Sequence, residues 1–428
     1  MLSKEENESL TRVGRGTPAG ELLRRYWQPV ATATELSDAN PIKRVRILGE
    51  DLVLFQLRKK SPGDAARYGL VDEPCSHRLA SLANGRVDTE GIRCPYHGWK
   101  FAPSGACVEQ PAEPPDSKFK ERIAHTAYPV QKLGGLLFAY LGPLPAPQLP
   151  RWDVLAREDG RRWGFIESVI ECNWLQPMEN SVDPSHVFWL HGSGGGKNAD
   201  APEEQFLALG LQAQYGETND YVPFEFGIQK VRVVKGKKPG DPPLSEQHPL
   251  VFPTALRLVI AHELIYMQEL SAAKTFTESE KELGYLHNMQ FRMPIDDTHT
   301  RVFHVNFMPS RDTVMRADAD VPFEDIPLRL DSGEYNVKIV TAQDAMAWET
   351  QGALTDRSRE HLGVADRGIA LLRRVLKEQI QLVREGKDPM GVIRDPVKGS
   401  GIIDLDVYHE PFGLRRGEKD ATVQTADA

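Results

Sequence analysis

Positions 75 to 101 read CSHRLASLANGRVDTEGIRCPYHGWKF, and they hold two of the chain's 4 cysteines and two of its 12 histidines. The order is Cys75-x-His77, a gap of 16 residues, then Cys94-x-x-His97. Two thiolates and two imidazoles can hold a zinc ion or an iron–sulfur cluster. Zinc fingers bring both cysteines first and both histidines afterwards. Here each half carries one cysteine and one histidine in the same order, which suits a binuclear centre whose cysteines bind one iron and whose histidines bind the other. A structural zinc ion is the alternative reading. Pro95 and Gly98 supply a tight loop around an exposed cluster edge, with His97 near the surface to pass electrons.

A second group of donors follows in ENSVDPSHVFWLH, positions 179 to 191. His186 and His191 lie near the end of a helical pattern and can converge on one metal. Two histidines and one carboxylate form the facial triad of non-heme Fe(II), which leaves positions open for dioxygen. Asp183, three residues before His186, shares its helical face and is placed to accept the other ring N–H of that histidine. Asn180, one turn earlier, either lines the iron pocket or is a plain helix-surface amide. The bland alternative makes Asp183-Pro184 a helix kink and both histidines satisfied core residues.

These groups need a frame. The 428 residues, 40% of them apolar, can build two or three domains with their own cores. A net charge of -9 argues against a general nucleic-acid or anionic-membrane binder. The start, MLSKEENESLTRV, has no apolar signal segment, and no run reaches the ~18 apolar residues of a membrane span. The expectation is a soluble, cytoplasmic protein. Residues 4 to 27 read as helical, with Thr17 as N-cap and Pro18 at the first helical position. From about 28 to 150, β-rich runs such as VRILGEDLVLFQL and GLLFAYLG alternate with Gly, Pro and Asp clusters, which marks a small all-β domain. GPLPAPQLPRWD, 142 to 153, is the boundary. Beyond it, FGIQKVRVVKG, ALRLVIAHELIYMQEL, NMQFRMPI and TRVFHVNFMP predict an antiparallel sheet with one covered face. TAQDAMAWETQG, 341 to 352, reads as a helix, and 366 to 386 is an amphipathic helix ended by Gly386. The resulting division is 1–27, an N-terminal helical segment; 28–150, the cluster domain; and 151–428, the catalytic domain.

Both constellations together resemble the α-subunit of a Rieske non-heme iron aromatic-ring oxygenase of the phthalate dioxygenase-like group. RVGRGTPAGELLRRYWQPV, EQPAEPP, FAYLGP, DDTHT and ETQGALTDRSREHLGVADRGI carry the likeness through nearly the whole chain. It implies an α+β fold: a Rieske all-β [2Fe-2S] domain followed by a helix-grip catalytic domain, an antiparallel sheet with helices, holding mononuclear Fe(II). It implies a homotrimer in which Asp183 links His97 of the partner subunit to His186. It implies a third iron ligand in a D-x4-E segment, which places Asp344 first, with Glu349 beside the metal shell and Asp356 as the rival. Respiratory Rieske proteins carry an extra cysteine in each loop. Ala80 and Tyr96 stand there instead, which fits an oxygenase or ferredoxin better than a quinol oxidase. Cys107 and Cys172 read as buried, inert thiols.

No G-x-G-x-x-G opens a suitable βαβ unit, so electrons are expected from a separate NAD(P)H reductase, a ferredoxin, or both. Aromatic carboxylates are the group's common substrates, and a carboxylate calls for an arginine fork. Arg232 and Arg257 lie on predicted strands that could line the pocket; outward, solvated strand faces are the alternative. GSGGGKNAD, 192 to 200, is expected to be a mobile loop that helps cover the pocket, with a disordered surface loop as the alternative. The favoured activity is O-demethylation of a methoxylated, lignin-derived aromatic acid, mono- or biaryl. Ring hydroxylation of a phthalate-like acid is the second reading, and a Rieske electron carrier with an inactive second domain is a third of a different class.

Overall fold

The computed structural model describes residues 2–61, 63–191, 218–234, 242–261 and 285–410. The expected loop at 192–200 and the part of the ALRLVIAHELIYMQEL run beyond Ala261 lie outside the described residues.

The N-terminal helical reading resolves into two short helices. α1 (Lys4–Thr11) is closed by a capping box, with Ser3 and Glu6 each satisfying the other's backbone N–H. α2 (Pro18–Leu23) starts on Thr17, whose hydroxyl accepts from the Gly20 N–H. Trp27, expected at the end of helix, instead opens β1 (Trp27–Thr32), all of whose residues are buried.

Ten further strands follow before residue 141: β2 (Ile42–Ile47), β3 (Glu50–Gln56), β4 (Tyr68–Asp72), β5 (Arg86–Val87), β6 (Ile92–Arg93), β7 (Lys100–Phe101), β8 (Cys107–Glu109), β9 (Ala127–Tyr128), β10 (Val130–Leu133) and β11 (Leu136–Tyr140). They form three antiparallel sheets, ordered β1-β11-β10, β2-β3-β4-β9 and β5-β6-β7-β8. The run VRILGEDLVLFQL is a hairpin rather than one strand. Leu48 and Gly49 turn it with φ of 51° and 78°, the two left-handed residues a tight hairpin requires. Val53, Phe55, Val71, Ile92 and Phe101 make a small apolar core that also contains Cys75 and Cys94.

The second half is built on a nine-stranded sheet. α3 (Asp153–Ala156) leads into β12 (Gly160–Glu167), and α4 (Leu175–Asn180) comes next. The remaining strands are β13 (Thr218–Phe224), β14 (Gly227–Val234), β15 (Leu244–Val251), β16 (Ala255–Ala261), β17 (Tyr285–Pro294), β18 (Thr300–Pro309), β19 (Phe323–Ile326) and β20 (Tyr408–His409). Their order is β13-β14-β15-β16-β17-β18-β12-β19, with β20 added beside β15. All pairs are antiparallel except β12 with β19. α5 (Val340–Glu349), α6 (Arg367–Arg384) and the short α7 (Pro396–Ser400) are the remaining α-helices of this half among the described residues, giving the α+β architecture.

One face of β17 and β18 carries Met289, Phe291, Met293, Phe303, Val305 and Phe307 into the main core, where Phe291 meets Phe138 of β11 edge to face at 5.6 Å. The opposite face carries Asn288, Gln290, Arg292, His304 and Asn306. The expected single covered face is corrected here. Both strands are buried almost throughout, because Ala342, Ala345 and Trp348 of α5 pack on Val302 and cover the polar side. Alternation in these strands separates an apolar core from a buried polar face, not from water.

Candidate metal centres

The two Cys-His loops are short turns at the ends of β-ribbons. Leu79 N–H donates to the Cys75 carbonyl and Cys75 N–H to that of Ala80; Gly98 N–H donates to the Cys94 carbonyl and Cys94 N–H to that of Trp99. Gly98 has φ of 76°, a conformation that suits glycine. The turns sort the donors by depth. Both cysteines are buried, whereas His77 is exposed and His97 half-exposed. The two imidazoles sit 4.6 Å apart between ring centroids, and His77 stacks on Trp99 at 4.4 Å.

This arrangement fits a cluster with a cysteine-held inner iron and a histidine-held outer iron. His97 Nδ1 is buried and makes no hydrogen bond. Burial, with Cys94 alongside, pushes the Cys75 thiol up to about 11. Without a metal that thiol stays protonated; a metal makes it a ligand by taking the proton's place. All four cysteines are free thiols and buried, and Tyr96, in a disulfide position of other Rieske proteins, is exposed.

The second centre draws on two distant segments. α4 ends at Asn180, followed by a turn and a π-helical segment over Val187–His191. Asp183 therefore does not share an α-helical face with His186 as expected. Pro184 has no N–H and restricts the residue before it, so the helix stops. Asp183 Oδ1 instead accepts from the Ser185 N–H at 2.9 Å, and its Oδ2 lies 3.8 Å from His186 Nδ1. That separation is an electrostatic contact rather than a hydrogen bond, and His186 Nδ1 makes none. Burial raises the Asp183 carboxyl, but His186, the Ser185 N–H and Lys230 outweigh it and hold it below the usual carboxylate range.

α5 supplies the third donor. One ligand atom from each of His186, His191 and Asp344 lies within 4.8 Å of the others. Asp344 Oδ1 is 3.4 Å from His191 Nε2 and 3.8 Å from His186 Nε2. It is buried and accepts no hydrogen bond. A carboxylate oxygen and two ring nitrogens facing one point with no other partner are the donor set of a non-heme iron site. His191 is aligned from behind: its Nδ1 is 2.8 Å from Gln343 Oε1, while Gln343 Nε2 donates to the Val337 carbonyl. With Nδ1–H donating to that amide, Nε2 is left with its lone pair toward the centre.

α4 and α5 are tied so that the donors meet. Gln176 Nε2 donates to the Trp348 and Gly352 carbonyls at 2.8 and 2.9 Å. Glu179 accepts from Arg357 at 2.7 Å and from Arg373 of α6 at 2.7 Å. These groups are almost fully buried.

The other candidates go elsewhere. Asp356 is exposed and caps a turn through the Ser358 N–H and hydroxyl. Glu349 binds Arg329, Tyr335 and the Glu171 N–H in a cleft of about 490 Å³ past the end of α5, away from the histidines. Asn180 accepts the Asp183 N–H through its carbonyl, and its half-buried side chain makes no hydrogen bond among the described residues. Arg257 does not reach the polar face. It points with Met289 into the main core, where Asp153 binds both Nε and Nη2 and His287 takes a further contact. Its fork is spent on α3. Arg232 is on the polar side, but its Nε lies 2.6 Å from Glu246. Sequence reasoning missed Gln343 and Arg292. Nothing in its pattern marks Gln343 except its place beside Asp344. Arg292 had a signal: an arginine between Phe291 and Met293 in a strand expected to be covered, where charge is rare unless paired.

A thiolate–imidazole cluster domain coupled to a sheet-and-helix domain with a two-histidine, one-carboxylate site defines a terminal oxygenase of the Rieske class. Residues 26–131 match the Rieske [2Fe-2S] domain, and residues 314–404 match the LigXa C-terminal domain like family. The chain is 36% identical over 409 residues to the 5,5'-dehydrodivanillate O-demethylase oxygenase subunit of Sphingobium sp. (strain NBRC 103272 / SYK-6), covering 94% of this chain and 86% of that one. It is 34% identical over 410 residues to the phenoxybenzoate dioxygenase subunit alpha of Ectopseudomonas oleovorans, covering 90% and 87%. The structure of NdmA from Pseudomonas putida CBB5 superimposes with a TM-score of 0.58 at 22% identity, over 86% of this chain and 94% of the other. The chain belongs to the Rieske oxygenase α-subunits, with a Rieske [2Fe-2S] cluster and a mononuclear iron as cofactors. Among the described residues, no helix is long and apolar enough to cross a membrane.

Proposed function

We propose that this oxygenase removes a methyl group from a methoxylated aromatic acid, using electrons from a separate NAD(P)H reductase, directly or through a ferredoxin. The observation that carries it is the convergence of His186, His191 and Asp344 over a buried polar sheet face, in a chain similar to a named O-demethylase. Cys75, His77, Cys94 and His97 hold the cluster; His186, His191 and Asp344 hold the iron. Iron held by two histidines and a carboxylate supplies dioxygen activation. The balance is methyl ether, O2, two electrons and two protons giving phenol, formaldehyde and water.

The chain's own part is positioning and exclusion of water. Gln343 fixes the ring of His191. α5 closes the polar face against solvent. Asp183, partly exposed beside His186, bridges to His97 of the partner subunit in a homotrimer, so that electrons cross between subunits. Residues 28–150 act as the cluster domain and 151–428 as the iron domain, with 1–27 packed on the latter. Ring hydroxylation of a related acid is the second reading, favoured by the 34% identity to a phenoxybenzoate dioxygenase subunit.

A single turnover separates them. The reduced holoenzyme is freed of mediator and mixed with O2 and a panel of methoxylated and unsubstituted mono- and biaryl acids. Formaldehyde with loss of a methyl group is expected. A gain of oxygen mass without formaldehyde means ring hydroxylation. No product from any acid overturns both.

A further inference from the structure

The cluster domain holds a third histidine, His125, which is not among the cluster donors. It is 5% exposed and stands two residues before β9, with its ring stacked on Phe101 of β7 at 4.5 Å between centroids. Its backbone is fixed on two sides. The His125 N–H donates to the Gly105 carbonyl, and the Asp72 N–H donates to the carbonyl of the next residue, Thr126. Both ring nitrogens are used as well. Nε2 is 2.9 Å from the Asp72 carbonyl oxygen, and Nδ1 is 2.7 Å from Ser76 Oγ. A carbonyl only accepts, so Nε2 carries the ring hydrogen. Burial holds the imidazole below the usual histidine range, outweighing the Asp72 carbonyl and carboxylate, and so keeps it neutral. Nδ1 is therefore an acceptor, and the Ser76 hydroxyl is its donor.

Ser76 stands between Cys75 and His77, the two donors of the first turn. In that turn the backbone N–H groups of His77 and Arg78 donate to the Cys75 sulfur and favour its thiolate. The peptide that carries the His77 N–H begins at Ser76. The Ser76 side chain is tied to a buried ring, and that ring is tied to the end of β4. The turn therefore cannot rotate this peptide away from the sulfur without giving up a hydrogen bond to a buried group. Hydrogen bonds to the sulfurs are among the interactions that set the potential of an iron–sulfur cluster. They favour the reduced form, which carries the additional negative charge.

We propose that His125 is a positioning residue of the Rieske centre. Acting through the Ser76 hydroxyl, it holds the Cys75–His77 turn so that the His77 N–H stays on the Cys75 sulfur, and it thereby raises the reduction potential of the cluster. The role belongs to the cluster domain and is the same whichever substrate the iron site takes.

The test is a spectroelectrochemical titration of the holoenzyme, read by the visible circular dichroism of the cluster. Wild type is compared with Ser76→Ala, Ser76→Thr, His125→Phe and the double variant Ser76→Ala with His125→Phe. Iron and acid-labile sulfide are assayed first, so that only cluster-loaded protein is compared. In Ser76→Ala the ratio of reduced to oxidised cluster at a fixed poise should fall about tenfold, equal to about 59 mV for a one-electron centre. His125→Phe keeps an aromatic ring against Phe101 and should do the same. The double variant should go no further, because all three remove one and the same bond. Ser76→Thr keeps the hydroxyl and should titrate with wild type. A wild-type potential in Ser76→Ala with a full cluster overturns the proposal. So does a double variant whose shift equals the sum of the two single shifts, since the residues would then act independently. A purely structural role would lower cluster content or melting temperature and leave the potential of loaded protein unchanged, and that result overturns it too. If His125→Phe takes up no cluster, Ser76→Ala and Ser76→Thr decide alone, because Ser76 is exposed and its truncation leaves no cavity in the core.

Discussion

The two metal centres are built by opposite strategies. The cluster donors sit on two adjacent turns, each closed by its own backbone hydrogen bonds, and the buried residues of the small core beneath them all lie between Val53 and Cys107. The iron donors come from two segments so far apart that His191 and its supporting Gln343 are separated by 152 residues. Their meeting depends on Gln176 and Glu179 clamping α4 to α5 and α6. A local centre tolerates damage elsewhere; an assembled one inherits every weakness of its frame.

Removing one ligand from each centre is the strongest way to break the comparison. The intact chain should hold about three irons. Asp344→Ala should retain only the cluster iron and the cluster's visible spectrum, while turnover falls by at least ~10³-fold, since that donor cannot be replaced locally. Cys94→Ser should lose the chromophore yet keep the mononuclear iron. A single loss that empties both sites in properly folded protein, by metal analysis and circular dichroism, would show that the centres are not independent.

Asp183→Asn comes next. The charge beside His186 disappears while the Ser185 turn can still form. Both metals should stay. Steady-state turnover should fall by about 10- to 100-fold, as for other partners of metal-binding histidines. Full turnover with both metals in place would refute a coupling role for this carboxylate. Gln343→Leu is milder. It removes the acceptor that fixes His191, so iron affinity should drop about tenfold, read by chelator competition, with the cluster spectrum untouched.

Sequence legibility follows the same division. The cluster was readable because its ligands are contiguous and their order excludes most other metal sites. His186 and His191 were readable as a pair, and Asp344 only through its resemblance to a known segment; no local pattern says that α5 packs over β18. The helical face drawn through Asp183 and His186 failed because Pro184 stops α4, although the two side chains still come within 3.8 Å. The arginines were the largest miss. Strand alternation identifies which residues share a face, but not which face carries the site. Arg257 serves α3, while Arg292, between Phe291 and Met293, is the arginine whose charge acts on Asp344.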